Sequence, residues 1–98
     1  MIIRIVKMTF KPENREKFLA VFSASKELIR NFEGCKNLKL LNDKKNRAVF
    51  FTYSLWESEV NLEHYRNSEL FKSTWAKTKI LFSDKPEVWT TEALAELS

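Results

Sequence analysis

Residues 47–57, RAVFFTYSLWE, carry apolar side chains at consecutive rather than alternate positions. β-branched and aromatic residues dominate the segment, so it reads as a strand. Successive strand side chains point to opposite faces. Val49, Phe51, Tyr53 and Leu55 therefore fall on one face, and Ala48, Phe50 and Trp56 on the other. A strand that is apolar on both sides belongs to a sheet covered on both sides. Helices of a 98-residue chain can cover one face. The other needs a further layer, and a sheet from a second copy of the chain is the simplest supplier.

The flanking segments supply the rest of such a sheet. Residues 2–10 are rich in Ile, Val, Met and Phe and read as a buried first strand. Lys11-Pro12-Glu13 marks a helix start, with proline in the first turn. Phe18, Phe22, Ser25, Ile29 and Phe32 then recur at helical spacing, with Leu19 and Leu28 widening the stripe and charges on the other face. Gly34, the only glycine, is the expected left-handed cap ending that helix. A strand at 36–42 and a polar turn at 42–46 lead into the two-faced strand. Ser58-Glu59 opens a helical stretch with Val60, Leu62 and Tyr65 pointing inward. Asn67-Ser68-Glu69 breaks it with a second cap, and Phe71, Trp75, Thr78 and Phe82 continue the stripe. Residues 87–91 form a last strand, and 92–98 are a C-terminal tail or arm. The order β-α-β-β-α-β predicts one α+β domain over residues 1–98 of ferredoxin-like type, with a four-stranded antiparallel sheet.

Composition narrows the partners. At 44% hydrophobic and 13% aromatic, with one glycine and two prolines, the chain is built to pack rather than to stay disordered. Cys35 is the only cysteine, so no internal disulfide forms, which fits a reducing compartment; the cytoplasm is the expected location. As a nucleophile it needs a base, and the only histidine, His64, is distant in sequence. Charges break the N-terminal apolar run, so no membrane span or signal peptide is expected there. The net charge of +4 comes from bases interleaved with acids. The one compact basic group, Lys44, Lys45 and Arg47, sits at the hairpin tip and reads as a solvated turn. RNA-recognition domains share this element order, but residues 47–51 lack their glycine, and Phe50 and Phe51 point to opposite faces. No nucleic-acid partner is expected. Nor is a cofactor or metal: no Gly-rich phosphate loop and no ligand cluster around His64 are present.

Residues 54–82 are more specific. Ser54-Leu55-Trp56-Glu57-Ser58-Glu59, Leu62, Tyr65-Arg66-Asn67-Ser68, Phe71 and Trp75 together resemble the antibiotic biosynthesis monooxygenase (ABM) family. Its third strand ends in a Trp-Glu-Ser-type motif, and a following helix carries His-or-Tyr-x-x-Ser-x-x-Phe. The resemblance extends over almost the whole chain and implies a homodimer in which two sheets pack face to face as an α/β barrel. It also implies oxidation of anthrone- or quinol-like aromatics by O₂ without a cofactor, since the electron-rich substrate itself reduces O₂. The site residues carry over in part. Trp56 matches the pocket tryptophan. The asparagine four residues before it becomes Thr52, and the proton-donor tyrosine six residues after it becomes Leu62, with Tyr65 one turn further on. The residue set of haem-degrading members falls on Arg4, Tyr65 and Trp75, none of which matches, so haem degradation is not expected.

The candidate residues keep two readings each. Trp56 and Trp75 either line a pocket or fill the core. Tyr65 needs a partner for its hydroxyl if buried. His64 is a general base or an exposed helix residue. Arg4, a charge inside an apolar strand, anchors an anionic substrate or pairs with a carboxylate. The leading expectation is a cofactor-independent monooxygenase acting on a small aromatic with O₂. The alternative is a non-catalytic ABM-fold dimer that binds a small ligand or is structural.

Overall fold

Strand pairing follows directly from the alternation in the sequence. A computed structural model describes residues 1–98. Its elements are β1 (Ile2–Thr9), α1 (Arg15–Arg30), β2 (Cys35–Asn42), β3 (Val49–Trp56), α2 (Glu59–Arg66), α3 (Glu69–Lys79) and β4 (Glu87–Thr91). The sheet order is β2-β3-β1-β4, and every neighbouring pair is antiparallel. This is the ferredoxin-like α+β plan that the element order implies. In the β1–β3 register Arg4 faces Ser54, Val6 faces Thr52 and Met8 faces Phe50. These residues look toward the helices, and Arg4, Val6, Met8, Phe50 and Ser54 are all buried. The intervening residues look the other way: Ile3, Ile5, Phe51, Tyr53 and Leu55, joined by Trp89 of β4 opposite Ile5.

Local chemistry sets the helix boundaries. Pro12 starts a short 3₁₀ turn, Pro12–Asn14, that runs into α1. The buried Asn14 amide donates to the Leu81 carbonyl at 3.2 Å and ties this turn to the end of the last helix. Ser58 caps α2 by accepting from the Asn61 N–H at 3.2 Å. Ser68 caps α3 by accepting from the Phe71 N–H at 3.1 Å, and its own hydroxyl donates to the Tyr65 carbonyl at 2.6 Å. One serine thus both ends α2 and begins α3.

Three expectations need correction. The first helix stops at Arg30, not beside Gly34. Its exit is closed instead by the Arg30 guanidinium donating to the Cys35 carbonyl at 2.8 Å and by Cys35 N–H donating to the Phe32 carbonyl at 3.0 Å. Gly34 keeps its left-handed backbone, φ 88°, but uses it in the turn into β2. Leu28 and Val60, expected to point inward, are 61% and 63% exposed. Each lies off the narrow stripe that meets the sheet, Leu28 one residue from buried Ile29 and Val60 two residues from buried Leu62. β4 has the predicted bounds, and all five of its residues are exposed.

A Cβ at position 34 would overlap the Asn61 side chain and force an L-residue into the left-handed region. Gly34→Ala is therefore expected to cost about 1–3 kcal/mol, read as a lower urea midpoint at unchanged m-value.

Candidate functional site

Two apolar clusters form on the helix side of the sheet. One gathers Val6, Met8, Phe10, Phe18, Phe50 and Leu81. The other gathers Ile29, Cys35, Trp56, Leu62 and Tyr65. Where they meet, packing is incomplete and leaves a cavity of about 70 Å³. Its sheet floor comprises Arg4, Val6, Met8, Leu38, Thr52 and Ser54. Phe18, Phe22 and Ile29 of α1 wall one side, and Tyr65, Phe71, Thr74, Trp75 and Thr78 wall the other.

Aromatic contacts bridge the two clusters along the second wall. Phe10 meets Phe82 at 5.2 Å between centroids, Phe82 meets Trp75 at 5.6 Å, and Trp75 stacks on Phe71 at 6.0 Å. Phe71 meets Tyr65 edge-on at 5.3 Å, and Tyr65 stacks on Trp56 at 4.9 Å. Trp56 has no exposed surface, and its indole N–H donates to Ser54 Oγ at 2.9 Å. Trp56 does not line the cavity. It is the plate behind Tyr65 that fixes where that ring stands.

Four of the residues singled out in the sequence meet at the cavity: Arg4, Thr52, Tyr65 and Trp75. His64 lies outside it, exposed, in a surface hollow with Leu28, Phe32 and Glu33. The sequence reading missed Ser54, which both lines the cavity and holds Trp56. The signal was present: Thr52 and Ser54 are the polar residues on the helix-facing side of β3, between Phe50 and Trp56.

Electrostatics separate the two ionisable groups of the cavity. Burial pushes the Tyr65 phenol up to about 12, with Arg4 pulling it down and Cys35 adding to the rise. Tyr65 is thus a hydrogen-bond donor at neutral pH and not a base. Burial lowers the Arg4 guanidinium from its ordinary value; the Arg66 charge adds to this and Tyr65 opposes it. Cys35 is buried, its thiol is pushed up by burial, and its sulfur contacts the Asn37 carbonyl at 3.7 Å. That is the environment of a packing residue, not of a nucleophile. No three His, Cys, Asp or Glu side chains gather where they could hold a metal ion.

The sequence pattern described as "Antibiotic biosynthesis monooxygenase" matches residues 1–77. The chain belongs to the antibiotic biosynthesis monooxygenase family. Several solved structures share its fold. One crystal structure of an antibiotic biosynthesis monooxygenase superposes with a TM-score of 0.91 at 20% identity, over 97% of this chain and 100% of that one. The protein Rv0793 from Mycobacterium tuberculosis gives 0.90 at 20% identity, over 99% and 98%. PA3566 from Pseudomonas aeruginosa gives 0.85 at 21% identity, over 96% and 94%. No curated protein matches the sequence. No helix of this ABM protein is long and apolar enough to cross a membrane.

The Tyr65 shift carries a stability signature. An unfolded tyrosine ionises near pH 10, whereas folded Tyr65 holds its proton to about 12. Its contribution is therefore complete below about pH 10 and is lost as pH rises toward 12. That difference corresponds to about 2–3 kcal/mol. The stability difference between wild type and Tyr65→Phe, from urea melts at pH 9 to 12, is expected to fall by about that amount.

Proposed function

We propose that this protein is a cofactor-independent monooxygenase acting on a small aromatic of quinol type, with O₂ as the second substrate. The observation that carries the reading is an apolar cavity with a few polar groups set into it, in a chain of the ABM family. In such a reaction the substrate supplies all four electrons to O₂. One oxygen atom enters the ring and the other leaves as water, so a hydroquinone becomes a hydroxyquinone. The protein's part is to hold the ring away from bulk water and to stabilise charge on its oxygen. Phe71 and Trp75, both half-buried, offer faces for the ring, Tyr65 offers an O–H donor, and Thr52 and Arg4 offer polar groups from the floor. His64, outside the cavity, has no part in this scheme. The lone cysteine is in keeping with a cytoplasmic setting.

Cavity size favours a second reading. A cavity of about 150 Å³ holds benzene, and this one has about 70 Å³. A single ring exceeds that volume unless side chains of the wall give way, and a polycyclic anthrone needs more. A non-catalytic ABM dimer that binds a smaller ligand requires no such movement.

Oxygen uptake decides between them. Hydroquinones and anthrones are supplied to wild type and to Tyr65→Phe and Trp56→Phe. The oxygenase reading expects uptake above the uncatalysed rate, strongest for single-ring quinols. Tyr65→Phe is expected to lower kcat by about tenfold or more, as loss of an oxyanion donor does. Uptake at the uncatalysed rate throughout leaves the binding dimer.

The dimer is part of the same proposal. Ile5, Phe51, Tyr53, Leu55 and Trp89 share the sheet face without helices, and Trp89 is 45% exposed in the single chain. Two such faces packed together remove this patch from water. Light scattering at micromolar concentration is expected to give a dimer, and Phe51→Lys to give a monomer. A monomeric wild type overturns this part.

A further inference from the structure

The chain has five arginines, and four have partners within it. Arg15 and Arg47 both donate to Asn42 Oδ1, Arg30 donates to the Cys35 carbonyl, and Arg66 pairs with Glu63. Arg4 is the exception, and it is the only buried one, 7% exposed. Its guanidinium joins none of the three ion pairs and donates to no acceptor in the protein. It rests on the face of Phe71, 5.5 Å from ring centroid to guanidinium carbon.

The Tyr65 hydroxyl is in the same position. Its backbone carbonyl is taken by Ser68, but its O–H has no protein acceptor. Neither group is sealed in: the one fully enclosed polar side-chain atom without a partner is Asn37 Oδ1. Arg4 and Tyr65 open onto the cavity. A buried charge left without a partner is among the costliest arrangements in a fold. Two donors, one of them cationic, thus open onto one cavity whose other polar lining is hydroxyl only, from Thr52, Ser54, Thr74 and Thr78.

The remaining wall sharpens the point. Arg4 and Tyr65 are the only ionisable side chains on it. No carboxylate is there to neutralise the guanidinium, and no carboxylate or imidazole is there to take a proton from a ligand. Tyr65, protonated at neutral pH, is no base either. A ligand that binds here as an anion must arrive as one.

The geometry points to a receptor for a preformed anion: a small, mainly apolar molecule of one ring or less, whose single carboxylate or phenolate group sits on the Arg4 guanidinium and accepts from the Tyr65 hydroxyl. The assignment rests on reading this cavity as the substrate site and names the charge and size of what enters it. It also gives the substrate's ionisation to solution rather than to a residue of the protein. The pH dependence of binding then follows the ligand's own pKa.

Binding of inert probes tests this without turnover. Wild type is titrated with isobutyrate against isobutyramide and with benzoate against benzamide, followed by tryptophan fluorescence. 4-Nitrophenol is titrated with base in the absence and presence of the protein, and its phenolate band reports ionisation. In at least one pair the anion is expected to bind about tenfold or more tightly than its neutral amide, and bound nitrophenol to ionise about one unit lower than free. Arg4→Met is expected to abolish both effects and to melt at or above the wild-type temperature, because it removes a buried unpaired charge. Equal binding of acid and amide, an unshifted nitrophenol, or no binding of any probe at millimolar concentration overturns the assignment, and all three are read on wild type alone. Anion preference without oxygen uptake removes the oxygenase reading and leaves the receptor standing. Oxygen uptake that persists in Arg4→Met with an unchanged pH profile does the reverse.

Discussion

The helix side of this sheet is held together by aromatic rings touching in series. From Phe10 through Phe82, Trp75, Phe71 and Tyr65 to Trp56, each ring contacts the next at 4.9 to 6.0 Å. Rings are stiff and flat, with two side-chain torsions, so a run of them transmits position better than interleaved aliphatic chains do. Its far end is fixed by the Trp56 N–H bonded to Ser54 Oγ. Tyr65 stands where it does because Trp56 cannot move behind it, and α2 is seated on the sheet through that stack. The cavity is what such a wall leaves when it spans two clusters that do not quite close.

That gap is not apolar throughout. The floor puts Arg4 opposite Ser54 and Val6 opposite Thr52 in adjacent strands, so the polar groups are carried by paired backbone and not by loops. A site on such elements is held more rigidly than one on connecting segments. The arrangement is unfavourable for the folded chain taken alone, since burial opposes the charge of the Arg4 guanidinium. Proteins keep locally unfavourable groups where function needs them, and the aromatic clusters on either side supply the compensating burial.

Much of this was legible in the sequence. The double-sided apolar pattern of β3 gave both its strand character and its need for cover on two faces, and the observed register places Phe51, Tyr53 and Leu55 away from the helices as alternation requires. Ser58 and Ser68 were readable as caps because capping is a contact between residues three apart. Arg4 was visible as an anomaly. What could not be read depends on distances between elements. Helical spacing gives the direction of a stripe but not its width, so Leu28 and Val60 were placed inside. Residue type says that Trp56 is buried. Whether it faces a cavity or backs another ring depends on Tyr65 crossing over it from the next helix. The lack of any carboxylate near Arg4 is likewise a fact of three dimensions.

β4 shows a further consequence. It pairs only with β1, and none of its residues is buried. Its attachment is a single ladder of backbone hydrogen bonds, secured at one end by the Thr91 hydroxyl donating to the Ile3 carbonyl at 3.1 Å. In the single chain, a strand held mainly by such bonds opens locally, without waiting for the core to unfold. Its amides then exchange with solvent long before those of β3, which is paired on both edges. Each opening also bares the edge of β1, with Ile3 and Ile5 along it, to any extended segment nearby.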